Sequence, residues 1–159
     1  MEVEFDVHMT SKMLYDYMLY HMYTSFSGIF GTLIGILLIV NFVMKENMIT
    51  LLLGIVVIAY LPWTLFLKAK QQMLATPAFK EPLHYKMTDE GVSVSQGDSV
   101  EMQTWDTMLK AVSTRGSILL YTSKGKASIF PRKDLQGQTA GVIEMISTHM
   151  PPNKVKIRA

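Results

Sequence analysis

The chain has 159 residues, is 49% apolar and carries a formal charge of +2, well short of the dense basic stripe that marks a nucleic-acid binder. It contains no cysteine, which excludes a disulfide, a thiolate nucleophile and a Cys-based metal site. The charge is unevenly spread: residues 1–67 carry two Lys against five Asp/Glu, a net of −3, and residues 68–159 carry thirteen Lys/Arg against eight, a net of +5.

Val3, Phe5 and Val7 alternate with Glu4, Asp6 and His8, the period-two pattern of a half-buried strand. This acidic start lacks the basic residues and early apolar run of a cleaved secretory signal, so the first apolar helix is expected to serve as the insertion signal. Thr10 or Ser11 offers an N-cap. Helix-compatible residues then run on without a break, with Tyr15, Tyr17, Tyr20 and Tyr23 placed as an interfacial aromatic belt.

Residues 23–44 contain no charge and span about 33 Å as a helix, enough for a hydrocarbon core of roughly 30 Å. Residues 48–67 form a second uncharged run of similar length. Lys45, Glu46 and Asn47 make the turn, so residues 10–75 read as a helical transmembrane hairpin. Ser27, Gly31 and Gly35 recur every four residues and permit close helix approach, either to the second helix or to another copy, making them a candidate packing or oligomer face. Asn41 is the one strongly polar residue deep in the first run, and Pro62 predicts a kink near residues 59–60. Neither run contains Asp, Glu, Lys or Arg, the usual mark of an ion path. Lys12, Lys68, Lys70 and Lys80 outnumber Lys45 at the helix ends, which predicts a multi-pass cell-membrane protein with both termini cytoplasmic.

From residue 83 short apolar segments alternate with turn residues. Strands are expected at 83–87, 92–95, 100–104, 108–113, 118–122 and 127–130, and a helix at 133–149 that ends before Pro151-Pro152. Residues 151–159 form a basic tail, expected to be frayed. With residues 1–9 joining this sheet, the fold class is an α+β membrane protein: a two-helix hairpin plus a small antiparallel β domain of about seven strands capped by a C-terminal helix.

Several residues in this part resemble the YcxB-like family of bacterial membrane proteins. They are Tyr85-Lys86-Met87-Thr88-Asp89-Glu90-Gly91-Val92, Trp105, Val112, Leu120-Tyr121 and Ile129-Phe130-Pro131-Arg132-Lys133. The resemblance covers residues 80–150 in order and spacing, and two preceding transmembrane helices match the family's layout. It implies a pleckstrin-homology-like fold for the β domain and brings no catalytic residues with it.

Chemistry is sparse. His8, His21, His84 and His149 lack metal-ligand spacing, so neither a metal nor a cofactor is expected. Gly125-Lys126-Ala127-Ser128 resembles the end of a phosphate loop, but position 120, where the loop needs glycine, is Leu. Trp105 reads as a core anchor at a sheet corner. Lys124, Lys126, Arg132 and Lys133 are the candidate lipid or partner contact. The expectation is a non-enzymatic, membrane-anchored interaction module that binds a protein partner or assembles with itself. Alternatives are a sensor of anionic lipid or ligand at the inner leaflet, and a channel subunit, transporter subunit or bacteriocin-type self-protection protein.

Overall fold

A computed structural model describes residues 2–135 and 137–158. The chain is α+β, with two long apolar helices and two four-stranded, mostly antiparallel sheets. It divides into two compact units, one of residues 14–72 and the other of residues up to 13 together with those from 73 onward.

The helical unit is built from α1 (Ser11–Tyr23), α2 (Phe26–Lys45) and α3 (Met48–Ala75). The expected unbroken helix is interrupted at Thr24-Ser25. The Ser25 hydroxyl caps α2 by accepting the Gly28 N–H at 3.3 Å, satisfying one of the donors a helix start leaves free. A Cβ on Gly28 would lie 2.1 Å from the Met22 carbonyl oxygen, so glycine is what allows the chain to turn so closely over the end of α1. The α2–α3 turn is tight. Glu46 takes a left-handed conformation (φ 52°) and donates its N–H to the Phe42 carbonyl, while the Asn47 side chain accepts the Ile49 N–H at 3.0 Å. Pro62 lies inside α3 without ending it, and α3 continues past its apolar run through Lys68 and Lys70. Lys70 Nζ sits 4.5 Å over the Phe66 ring, which meets Tyr15 of α1 edge-on.

Helices α2 and α3 are long and apolar enough to cross a membrane, each with a window of mean hydropathy 2.2. They pack on each other through glycine. A Cβ on Gly35 would lie 2.6 Å from Ile58 Cγ1, and one on Gly54 would lie 2.9 Å from the Gly35 carbonyl oxygen.

The β unit contains β1 (Val3–Val7), β2 (Leu83–Met87), β3 (Gly91–Gln96) and β4 (Ser99–Thr104) in one sheet, ordered as numbered. The second sheet has the order β7-β6-β5-β8, from β5 (Lys110–Ser113), β6 (Ser117–Ser123), β7 (Lys126–Pro131) and β8 (Val155–Lys156). The alternation seen in the sequence sets which face is buried: Val3, Phe5 and Val7 are buried, and Glu4 and Asp6 are exposed. β1 pairs antiparallel with β2, Val7 opposite Leu83, so the chain leaves this sheet for the helices and returns to it at one end. Phe130 of β7, fully buried, meets Phe5 at 5.3 Å and Tyr85 at 5.0 Å, both edge-to-face, and these rings join the two sheets in one core.

Two expectations are corrected here. The final helix, α4 (Thr139–His149), begins six residues later than residue 133. Asp134 N–H closes a turn on the Pro131 carbonyl at 2.9 Å, Gln138 N–H another on Leu135 at 2.7 Å, and Gly137 is left-handed (φ 87°), a conformation that cannot continue a right-handed helix. The basic tail is also not frayed. β8 pairs parallel with β5, Ala111 opposite Val155 and Val112 opposite Lys156, and the Arg158 N–H bonds to Ser113 Oγ at 2.9 Å.

Candidate functional site

Cross-strand register determines which side chains meet on the outward face of the first sheet. Glu4 lies opposite Lys86 and Asp6 opposite His84. Lys86 Nζ contacts Glu2 and lies 2.8 Å from Glu4. His84 Nδ1 is 2.8 Å from Asp6 and Nε2 is 4.0 Å from Glu4. All five side chains are roughly half exposed, where ion pairs are screened and worth little individually; their main effect is to hold β1 in register. Among the described residues, no group of three or more His, Cys, Asp or Glu is placed to hold a metal.

The same face continues across β3 to β4. Lys86 pairs with Ser93 and His84 with Ser95, which in turn lie opposite Met102 and Val100. Val100 is 70% and Met102 48% exposed. Among the described residues, β4 pairs with β3 alone, and its other edge presents unpaired backbone groups beside two exposed apolar side chains.

A second cluster surrounds Trp105, which a short 3-10 turn (Trp105–Thr107) carries between β4 and β5. The indole is buried, donates its Nε1–H to the Thr88 carbonyl at 2.9 Å and stacks on His149 at a ring separation of 5.1 Å. His149 Nε2 lies 3.3 Å from Asp89, and Nδ1 lies 2.9 Å from the Met145 carbonyl. The cluster ties the β2–β3 turn, the sheet corner and the end of α4 together. It brings no Ser, Thr or Lys nucleophile to the histidine by any of these bonds. Beside it, the Thr104 hydroxyl donates to Asp106 and holds that exposed carboxyl below its ordinary range.

The four basic residues singled out in the sequence do not converge. Lys124 and Lys126 lie at the β6–β7 turn, whereas Arg132 and Lys133 follow the opposite end of β7, roughly 20 Å away at the rise of an extended strand. In the hairpin, Gly35 is buried and Gly31 half-buried against α3, where a Cβ on Gly31 would meet Leu61 at 3.6 Å, while Ser27 is exposed. The small residue packed at that end is Gly28, one position on. Sequence reading missed the β4 edge, because alternation of Val100 and Met102 with Glu101 and Gln103 reads as a strand without saying which face is covered. No protein-family model, curated protein or solved structure matches the chain.

Proposed function

We propose that this chain is a membrane-anchored, non-enzymatic assembly module whose β unit pairs with a second copy of itself along β4. Anchoring is supported by the large apolar side chains that α2 and α3 leave exposed, among them Phe26, Leu37, Val43, Ile49, Val56 and Trp63. A surface of that extent is costly in water and at home in lipid. Four strands in one sheet, three consecutive strands in the next and a helix after β7 support the pleckstrin-homology-like reading of the β unit, and with it the YcxB-like resemblance.

The observation that carries the assembly reading is the open β4 edge. Edge strands are ordinarily blunted by charged side chains, proline or a bulge; β4 reads Ser-Val-Glu-Met-Gln-Thr, with Glu101 its single charge, and is exposed along almost its whole length. Antiparallel pairing of two β4 strands about a two-fold axis at Met102 is self-complementary. It sets Met102 against its own copy, Val100 against Thr104, and Glu101 against Gln103, a carboxylate facing an amide donor. Light scattering on the full chain in detergent, corrected for bound detergent, tests this. A dimer that Met102→Lys converts to monomer with an unchanged circular dichroism spectrum is expected. A monomeric parent, or a Met102→Lys dimer as tight as the parent's, overturns the β4 assignment.

A further inference from the structure

Three segments far apart in the chain meet at one end of the second sheet. The turn between β5 and β6 carries Arg115, the exit of β7 carries Arg132 and Lys133, and the tail beyond β8 carries Arg158. Hydrogen bonds fix them to one another. Arg132 N–H donates to the Gly116 carbonyl at 2.9 Å, the Arg132 guanidinium donates to the Arg158 carbonyl, and Arg158 N–H donates to Ser113 Oγ at 2.9 Å. Lys156 joins this end opposite Val112.

Among the described residues, the charge here is only partly compensated. On the face of the first sheet, lysine and histidine each have carboxylates beside them. Here the carboxylate that these bonds bring in is Asp134, which lies 3.9 Å from Lys133 and accepts the His8 N–H at 3.1 Å. Among the described residues, Arg115, Arg132, Lys156 and Arg158 form no salt bridge. Arg132 is half-buried and Arg115 and Arg158 are exposed. One donor of the Arg132 guanidinium is used on the tail carbonyl, which orients the planar group and leaves the others of its five N–H donors available. These bonds bring the backbones of Arg132 and Arg158, and of Gly116 next to Arg115, together, and guanidinium groups carried that close suit a phosphate, whose oxygens accept their paired donors in a planar fork.

The geometry points to a site for the phosphodiester headgroup of an anionic lipid at Arg115, Arg132 and Arg158, flanked by Lys133 and Lys156. The lipid source follows from chain connectivity and rests on the reading of α2 and α3 as membrane spans. The Asp134–His8 bond sets this turn beside the point where the chain leaves the β unit, with only Met9 and Thr10 between His8 and α1. The chain then reaches the spans through α1, a covalent connection that raises the effective concentration of headgroups, and basic segments near a span are drawn to an anionic leaflet.

The test is native mass spectrometry of the detergent-solubilised full chain titrated with dioleoylphosphatidylglycerol or dioleoylphosphatidylcholine. Circular dichroism is recorded for each variant. Tighter binding of the anionic phosphatidylglycerol than of the zwitterionic phosphatidylcholine is expected, weakened at least tenfold by Arg115→Gln/Arg158→Gln, which leaves the Arg132–carbonyl tether in place. Lys124→Gln/Lys126→Gln, at the far end of β7, is expected to bind within twofold of the parent. Equal binding of the two lipids, or equal loss in both double variants, overturns the site. Displacement of the lipid by inorganic phosphate at micromolar concentration overturns the lipid source and assigns a soluble phosphate. A chain that stays monodisperse without detergent overturns the membrane reading itself, a result separable from the lipid titration.

Discussion

Gly91 opens β3 where no side chain fits. A Cβ built there would lie 2.2 Å from the Gln103 carbonyl oxygen and 2.9 Å from both the Gln103 carbonyl carbon and Thr104 Cα. All three are backbone atoms of β4, so no rotamer change can relieve the contact. Restoring an ordinary C···O separation of about 3.3 Å requires β4 to retreat by about 1 Å at its end nearest Trp105. Gly91→Ala therefore combines overpacking of about 1–3 kcal/mol with a weakened ladder hydrogen bond worth about 1 kcal/mol. The stiffer unfolded chain returns about 0.4–1 kcal/mol. The net loss is about 1–3.6 kcal/mol, or a melting temperature lower by roughly 4–29 °C for a unit of this size. The assay is thermal unfolding in a Trp63→Phe background, which leaves Trp105 as the one emitter of the two tryptophans. Thr88 accepts the Trp105 indole N–H and donates its own N–H to the Gly91 carbonyl at 2.9 Å, so the emission should also shift to the red. Gly116→Ala is the control, since nothing lies within 4 Å of its Cβ position. A Gly91→Ala unit that melts within about 2 °C of its parent, less than about 0.5 kcal/mol, with unchanged Trp105 emission would refute the backbone-clash argument.

Two further outcomes follow from single residues. Burial raises the Tyr85 phenol above its ordinary value, Glu101 adds to the rise, and a hydrogen bond with Ser128 opposes it. A folded-state pKa above the unfolded one means the folded chain holds the extra proton, so this stabilisation is full below pH 10 and is lost as pH rises through the alkaline range. Urea midpoints for the parent should thus fall between pH 9 and pH 11 more steeply than those of Tyr85→Phe, and parallel slopes would refute the assignment. Glu46 occupies the left-handed region, where a side chain costs about 1–2 kcal/mol relative to glycine; Glu46→Gly should raise the resistance of the hairpin to denaturing detergent by up to that amount, less about 0.5 kcal/mol for the looser unfolded chain.

The strands could be read from the sequence because punctuation and alternation agree. Asp89-Glu90-Gly91, Gln96-Gly97-Asp98, Arg115-Gly116 and Lys124-Gly125 each fall at or beside a turn between strands, and Tyr85 and Met87 face the core that Phe130 fills. The late start of α4 was hidden because residues 133–138 lack an apolar period but contain nothing a helix forbids except Gly137. The break at Thr24-Ser25 was hidden by the opposite effect: apolar residues on both sides mask a serine that caps. The arginine end of the second sheet was illegible for a different reason. Arg115, Arg132 and Arg158 are seventeen and twenty-six positions apart, and a two-residue strand such as β8 leaves no periodicity to detect. Sequence proximity instead grouped Lys124 and Lys126 with Arg132 and Lys133, because a list of neighbours does not reveal that an extended strand carries its two ends far apart.

Insertion of the helices between β1 and β2 has a consequence for synthesis. β1 leaves the ribosome before either long helix, yet its partner strand begins at Leu83, 76 positions after Val7. For that interval a segment alternating Val, Phe and Val with acids has no sheet to join, and its pairing closes a longer loop than any other strand pair among the described residues. The loop that closes is shortened by the antiparallel hairpin itself, whose entry and exit lie at one end, so formation of the helices lowers the entropic cost of bringing β1 to β2. Until then β2 stands as an uncovered edge. A slowly forming hairpin would therefore lengthen the window in which newly made chains can pair with one another in the wrong register.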